Sequence, residues 1–409
     1  MGRVIAEALI VAAGVAWLAA CADESGVTLV GRAVLPADHF LPGPTSGQFI
    51  EPANGRTPPF RDRQPVQGFS ALLDNGGGSF LSLPDNGFGT RENSPDFLLR
   101  VYELRPDFRN DTGGTGTIEV AWAFSLRDPD RQIAFPITAD LEYYPGTRIA
   151  VDRTIREGRL LTGADFDVES FRRVADGTFY FGDEFGPFLL HTDATGKLLE
   201  PPIALTGVWS PQHPLLGDRE PNLPRSGGFE GMALSPDGGM LYPMLERSLY
   251  GQEGQLNIYA YDLETQSFTH TDPYAPPYRY RMDSLAVGVT EITAAGEGLL
   301  VTERDGRQGP AARHKKVFFV ELERVDDDGV LKKREVIDLL DLADPDDLSG
   351  WGTERFTFPY ETTEALAVLD GGIVAIINDN NYPFGLGRHA VDGQPDDSEL
   401  ILLYLDWLP

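Results

Sequence analysis

FYFGDEFGPFLLHTD, residues 179–193, decides how this chain is read. Apolar and aromatic residues flank Asp183 and Glu184 in strand fashion, so two adjacent carboxylates interrupt an otherwise buried β-hairpin. An unpaired carboxylate is costly to bury without a cation, a proton or hydrogen-bond donors to receive it. The pair therefore caps a turn or belongs to a site.

Working outward, the same pattern recurs. GFSALLDNGGGSFLSLPDNG (68–87), DFDVESFRRVADGTFYFGDEFG (165–186), GFEGMALSPDGGMLYPMLER (228–247), GVTEITAAGEGLLVTERDG (288–306) and TTEALAVLDGGIVAIINDNN (362–381) each read as a strand, a Gly- or Asp-containing turn and a second strand. The first strands open with Ser70, Glu169, Glu230, Glu291 or Glu364, and the second ones end on Asp85-Asn86, Asp183-Glu184, Glu246-Arg247, Glu303-Arg304 or Asn378-Asp379. Aromatic and aliphatic runs such as LNIYAYDL and VFFVEL follow as outer strands. No convincing helix-period segment follows the N-terminal run, so the fold class is all-β, a β-propeller of antiparallel blades. Five repeats are visible; a sixth blade requires the segment 117–145 to be one whose inner motif has decayed. TLVGRAVL (28–35) and ELILLYLDW (399–407) are expected to share one blade and close the ring.

In a propeller the innermost strands line a central channel, and equivalent positions form rings around it. The repeated acids are therefore expected to converge. Confined like charges repel unless a cation or shared protons intervene, and an oxygen-only donor set suits Ca²⁺ first and Mg²⁺ second. The metal-ligand candidates are Asp85, Glu169, Asp183, Glu184, Glu230, Glu291, Glu364 and Asp379. The competing reading is that the acids accept backbone hydrogen bonds and lock the blades together.

At these residues the chain resembles a bacterial family, "esterase-like activity of phytase", a phytase-like propeller. The stretches 160–203, 227–246 and 362–381 carry the likeness, which extends from near Gly31 to the C-terminus. The resemblance implies an ester or phosphoester hydrolase with an acidic, calcium-filled channel, acting on a small anionic substrate. The catalytic candidates are Asp183, Glu184, Glu246 and Glu303. Arg247 and Arg304, which repeat at equivalent positions, and Arg91 and Arg388 beside other acidic clusters are the substrate-binding candidates. Two alternatives stay open: a non-catalytic, calcium-stabilised propeller that binds a ligand or partner, and a lactonase-like metal hydrolase using Asp379 among its asparagines.

Other motifs carry less. GFSAL (68–72) falls short of a nucleophile elbow, and the six histidines show no zinc spacing. VDDDG (325–329) reads as a hairpin turn.

At the N-terminus, Arg3 precedes an apolar run from Ala8 to Ala20 that is short for a membrane span. Leu18-Ala19-Ala20-Cys21 resembles a lipobox, with Glu7 a departure and an ordinary cleaved signal the alternative. Residues 1–21 are thus expected to be a lipoprotein signal ending at the lipidated Cys21, and residues 28–409 a single domain. The expected location is the periplasm or outer membrane, with contact to the bilayer only through the anchor, or secretion if no lipid is attached. Cys21 is the one cysteine, so no intramolecular disulfide is available. A formal net charge of −29 argues against nucleic-acid binding. A monomer is expected.

Overall fold

The computed structural model describes residues 26–284 and 287–408, apart from the side chains at positions 122 and 123. Cys21 and the lipobox lie outside the described residues. Among those described, no helix is long and apolar enough to cross a membrane.

Each repeat forms a hairpin, and the five hairpins are the inner halves of five blades. The inner strands are Phe69–Gly76, Val168–Arg173, Phe229–Leu234, Val287–Ala295 and Thr362–Leu369, and each packs against its neighbours so that the last returns to the first. Of their partners, Ser79–Pro84 and Phe179–Asp183 are buried along their whole length, because neighbouring blades cover both faces. Five large apolar clusters follow, one at each blade interface: Leu83 with Phe171, Leu189 with Phe229, Met244 with Val289, Val317 with Leu366, and Ala365 with Phe69. Aliphatic and aromatic side chains thus hold the ring at every joint, which places the carboxylates at strand ends rather than between blades.

The ring closes through the chain termini. Val27–Leu35 runs antiparallel to Ser398–Leu405 as the fourth strand of the fifth blade, with Thr28 opposite Tyr404 and Leu35 opposite Ser398. Its buried and half-buried residues alternate, as an outer strand with one covered face requires. Thr117–Ser125 pairs with Arg100–Asp107 as the fourth strand of the first blade, so the segment 117–145 supplies no sixth blade. The third strand of blade three is broken: Met240–Leu245 pairs with Tyr261–Asp262 at one end and Gln255–Ile258 at the other. Residues 325–329 turn between Lys315–Val325 and Leu331–Asp338, the Asp326 N–H donating to the Val330 carbonyl at 2.8 Å.

Candidate functional site

The mouth of the channel is built by one local device repeated around the ring. Near the start of each inner hairpin stands one aligned pair: Phe69 opposite Pro84, Val168 opposite Asp183, Phe229 opposite Leu245, Val289 opposite Glu303 and Thr363 opposite Asn378. Immediately afterwards every ladder shifts register, a β-bulge of the kind that re-aims a side chain. The residues at the shift are Ser70, Glu169, Glu230, Thr290 and Glu364. One step beyond the aligned pair stand Asp85, Glu184, Glu246, Arg304 and Asp379. Backbone hydrogen bonds confirm their equivalence: the N–H groups of Asp85, Glu184 and Glu246 donate to the carbonyls of Gly68, Asp167 and Gly228 at 3.1, 2.9 and 2.9 Å.

These two rings enclose a cavity of about 190 Å³. Its lining includes eight carboxyl groups, those of Asp85, Asp167, Glu169, Glu184, Glu230, Glu246, Glu364 and Asp379, against the two guanidinium groups of Arg247 and Arg304. Glycine stands two positions before the bulge residue in three blades, as Gly68, Gly228 and Gly288, and at Gly228 a Cβ would lie 2.5 Å from the Glu184 carbonyl oxygen. A Cβ on Gly68, whose φ is +70°, would lie 3.1 Å from Asp85 Oδ1 and 3.4 Å from Asp379 Oδ1. Blade two has Asp167 there instead, bound by Asn86 through N–H at 3.2 Å and Nδ2 at 2.8 Å.

Two acidic triads stand out. Asp85, Asp167 and Glu169 bring carboxylate oxygens within 4.8 Å of one another, as do Glu169, Glu184 and Glu230, so Glu169 belongs to both. Glu184 Oε1 is buried without a hydrogen-bond partner. Burial, reinforced by neighbouring carboxylates, pushes Asp85, Glu169, Glu184 and Glu230 well above the usual carboxyl range. Glu364 rises to about 8 through burial and Asp379, against the pull of Arg304 and a 2.8 Å hydrogen bond from Ser70 Oγ. Asp167 and Asp379 are each pushed up to about 6, first by burial. Burial and mutual repulsion thus favour the protonated form of these carboxyls.

Several candidates stand elsewhere. Asp183 does not line the cavity: it accepts the N–H groups of Asp167 at 2.9 Å and Gly186 at 2.8 Å, so the adjacent acids divide, Asp183 locking the hairpin and Glu184 facing the mouth. Glu291 is one residue out of step. The bulge of blade four falls on Thr290, leaving Glu291 in the regular ladder opposite Thr302, where Arg172 Nη2 meets its Oε1 at 2.9 Å. Glu303 occupies the position equivalent to Asp183 and points away from the channel, taking Tyr280 Oη at 2.6 Å, His314 Nε2 at 3.2 Å and the ammonium of Lys333. Burial opposes its ionisation, yet these donors outweigh burial and hold the carboxyl below its ordinary range. Asp283, Glu303 and His314 form a third close group, but Lys333 already places a cation against Asp283, at 2.6 Å, and Glu303.

The four arginines separate likewise. Arg247 lines the mouth with Nε 2.8 Å from Glu246 Oε2, and Arg304 lines it with Nη2 3.8 Å from Glu364 Oε1. Arg91 is turned aside, its Nε donating to the Ala164 carbonyl at 2.7 Å. Arg388 lies in a different cavity, bound to Glu399. Asp167 escaped the sequence reading. Aligning GF, DV, GF, GV and TT at the strand starts would have singled it out, as an acid where three blades carry glycine.

Fold and site together define a five-bladed β-propeller with a carboxylate-lined channel mouth. The chain belongs to the phytase-like family described as "esterase-like activity of phytase", whose model matches residues 64–382. No curated protein matches the chain. Among solved structures it is similar to a calcium-binding protein, regucalcin, from Agrobacterium tumefaciens, with 12% identity, 85% of this chain and 94% of that one covered and a TM-score of 0.38. It is also similar to a putative oxidoreductase (glucose dehydrogenase) from Thermus thermophilus, with 15% identity, 92% and 97% covered and a TM-score of 0.36.

Proposed function

We propose that the channel mouth binds calcium and hydrolyses a small anionic ester or phosphomonoester. One observation carries this reading: eight carboxyl groups and two guanidinium groups converge on one small cavity at the end of the channel. The residues fit the ion, because the donors are oxygen only and Glu184 Oε1 is a buried acceptor with no partner. Asp85, Asp167, Glu169, Glu184 and Glu230 would hold it. Calcium bound there would supply Lewis-acid stabilisation of developing negative charge.

The protein's own groups do the rest. Arg247, half exposed and tied to Glu246 through Nε alone, keeps its Nη groups for a substrate anion. Arg304 places a buried positive charge below it, raised further above its ordinary pKa by Glu364, Glu246 and Glu230 after burial has worked the other way. Asp379, which lines the mouth but belongs to neither acidic triad, is the carboxylate left to accept a proton from an attacking water. At about 190 Å³ the cavity is smaller than the roughly 300–1,000 Å³ of pockets that engulf a ligand. It therefore takes the reacting group, with the remainder of the substrate outside.

Purified protein assayed against aryl phosphates, phytate, aryl esters and lactones, with calcium and with chelator, tests the reading. Calcium-dependent turnover that is lost in Glu184→Gln supports it. Calcium binding without turnover of any of these would instead make the protein a binding module. From the lipobox-like Leu18-Ala19-Ala20-Cys21 we further propose that the protein is an exported monomer anchored through Cys21. Incorporation of a labelled fatty acid into the wild-type protein and not into Cys21→Ser supports that placement, and no incorporation into the wild type contradicts it.

A further inference from the structure

Arg388, singled out in the sequence beside an acidic run, lines a second and larger cavity of about 750 Å³ on the outer side of blade five. Four separate stretches build it: the N-terminal strand at Arg32 and Val34, the loop at 309–312, the segment from Leu340 to Tyr360, and the turn at 387–397. Its volume lies within the roughly 300–1,000 Å³ of small-molecule sites. Val34, Pro310, Leu340 and Trp351 contribute apolar wall.

The polar groups converge on one buried carboxylate. Glu399 is fully buried and accepts Tyr360 Oη at 2.6 Å, Arg388 Nη2 at 2.7 Å, Arg388 Nε at 3.0 Å and the Nε of Arg32. Two guanidinium groups therefore share one carboxylate, leaving one positive charge in excess within the trio. Arg388 cannot swing away, because its guanidinium lies over Trp351 at 4.8 Å, Phe356 at 4.9 Å and Tyr360 at 5.3 Å. Among the described residues, no hydrogen bond is made by Arg388 Nη1 or by either Nη of Arg32. Asp397 also lines the wall, its Oδ1 accepting the Ala37 N–H at 2.8 Å, and limits the anion that the site tolerates.

We infer that this cavity is a ligand site separate from the channel mouth, taking an organic monoanion with an apolar, planar body whose carboxylate or sulfonate meets Arg32 and Arg388. A preorganised guanidinium beside an aromatic wall recognises such a molecule at both ends: donors for the acid, a stacking surface for the ring. With Glu399 and Asp397 balancing the two guanidinium groups, the site has no surplus for a second negative charge and takes a monoanion rather than a phosphomonoester dianion.

Anilinonaphthalene sulfonate, an aromatic sulfonate whose emission rises in apolar surroundings, is the probe. Phenylbutyrate should displace it at least about tenfold more effectively than phenylbutanol, which lacks the acid. Ala390→Trp, at an exposed lining position, should narrow the cavity and weaken the signal. Arg32→Met should weaken binding by about tenfold and leave the Arg388–Glu399 pair in place. Glu184→Gln, in the mouth, should change nothing. Equal displacement by the alcohol, no saturable emission with wild-type protein, or undiminished emission from a folded Ala390→Trp overturns the inference. The acid and alcohol comparison uses wild-type protein and so stands even if a variant fails to fold.

Discussion

Arg172 of blade two spans the channel to Glu291 of blade four, Nη2 to Oε1 at 2.9 Å, with both side chains buried. The same Nη2 donates to the Ile292 carbonyl at 2.9 Å, and Nη1 to that of Phe171 at 2.7 Å, so one guanidinium ties two opposed inner strands below the mouth. Burial nevertheless pushes Glu291 up to about 7. Removing one partner of a buried pair leaves an uncompensated charge, so Arg172→Met should cost about 3–5 kcal/mol in chemical denaturation. Glu291→Gln likewise strands a charge, the Arg172 guanidinium, and should cost a comparable amount, whereas the double variant Arg172→Met/Glu291→Gln should cost less than the two single losses added. Additive losses would show that the charge pair is not what braces the channel.

The pH dependence of the metal-free protein has a definite sign. Folded-state pKa values of about 6 for Asp167 and Asp379 and about 8 for Glu364 lie above those of the unfolded chain. The native state then binds more protons, and these groups contribute stability that is present below about pH 4 and lost as pH rises towards 8. Calcium bound at the proposed site would replace the protons. The difference in melting temperature between calcium and chelator should therefore grow from pH 5 to pH 8, as thermal melts across that range would show. A difference independent of pH would mean that the carboxyls are not displaced from their protons by the ion.

Asp183 and Glu184, adjacent in sequence, should behave oppositely. Asp183→Asn retains one acceptor oxygen where two backbone N–H groups now bind, so stability should fall by about 1–3 kcal/mol at every calcium concentration. Glu184→Gln should leave the calcium-saturated melt near wild type and weaken calcium binding. Calorimetric titration beside thermal melts distinguishes the two, and identical behaviour would remove the division of labour.

Arg304 stands at the mouth position where the other four blades carry an acid. Arg304→Gln makes the cavity more negative. Hydrolysis of an anionic substrate should then fall at least about tenfold while calcium affinity holds or rises. Loss of calcium binding with loss of activity would assign Arg304 to bracing the cluster rather than to the substrate.

How much of this was legible in the sequence follows from its physical cause. The blades were, because each inner hairpin repeats apolar strands around a Gly or Asp turn, and closure was, because the terminal segments matched as outer strands. The acids at the ends of the strands pointed to the mouth, but their aim depends on where the bulge falls. In blade four it falls on Thr290, and that backbone shift sends Glu291 to Arg172. Chain proximity also misled at Arg91 and Arg388: each lies close to an acidic run in sequence, yet a loop carries each to other partners, the Ala164 carbonyl and Glu399. Asp167 was passed over because the acid beside Asp183 in space is sixteen residues away along the chain.

Glu169 belongs to both acidic triads at the mouth, and its removal addresses the calcium site most directly. Calorimetric titration of calcium into chelator-treated wild type and Glu169→Gln, side by side at about pH 7.5, where metal binding displaces protons from the raised carboxyls, is the decisive measurement. Saturable binding in the wild type that is lost or strongly weakened in a folded Glu169→Gln is the predicted result. No binding in the wild type, or equal binding in both, contradicts a calcium site at the channel mouth.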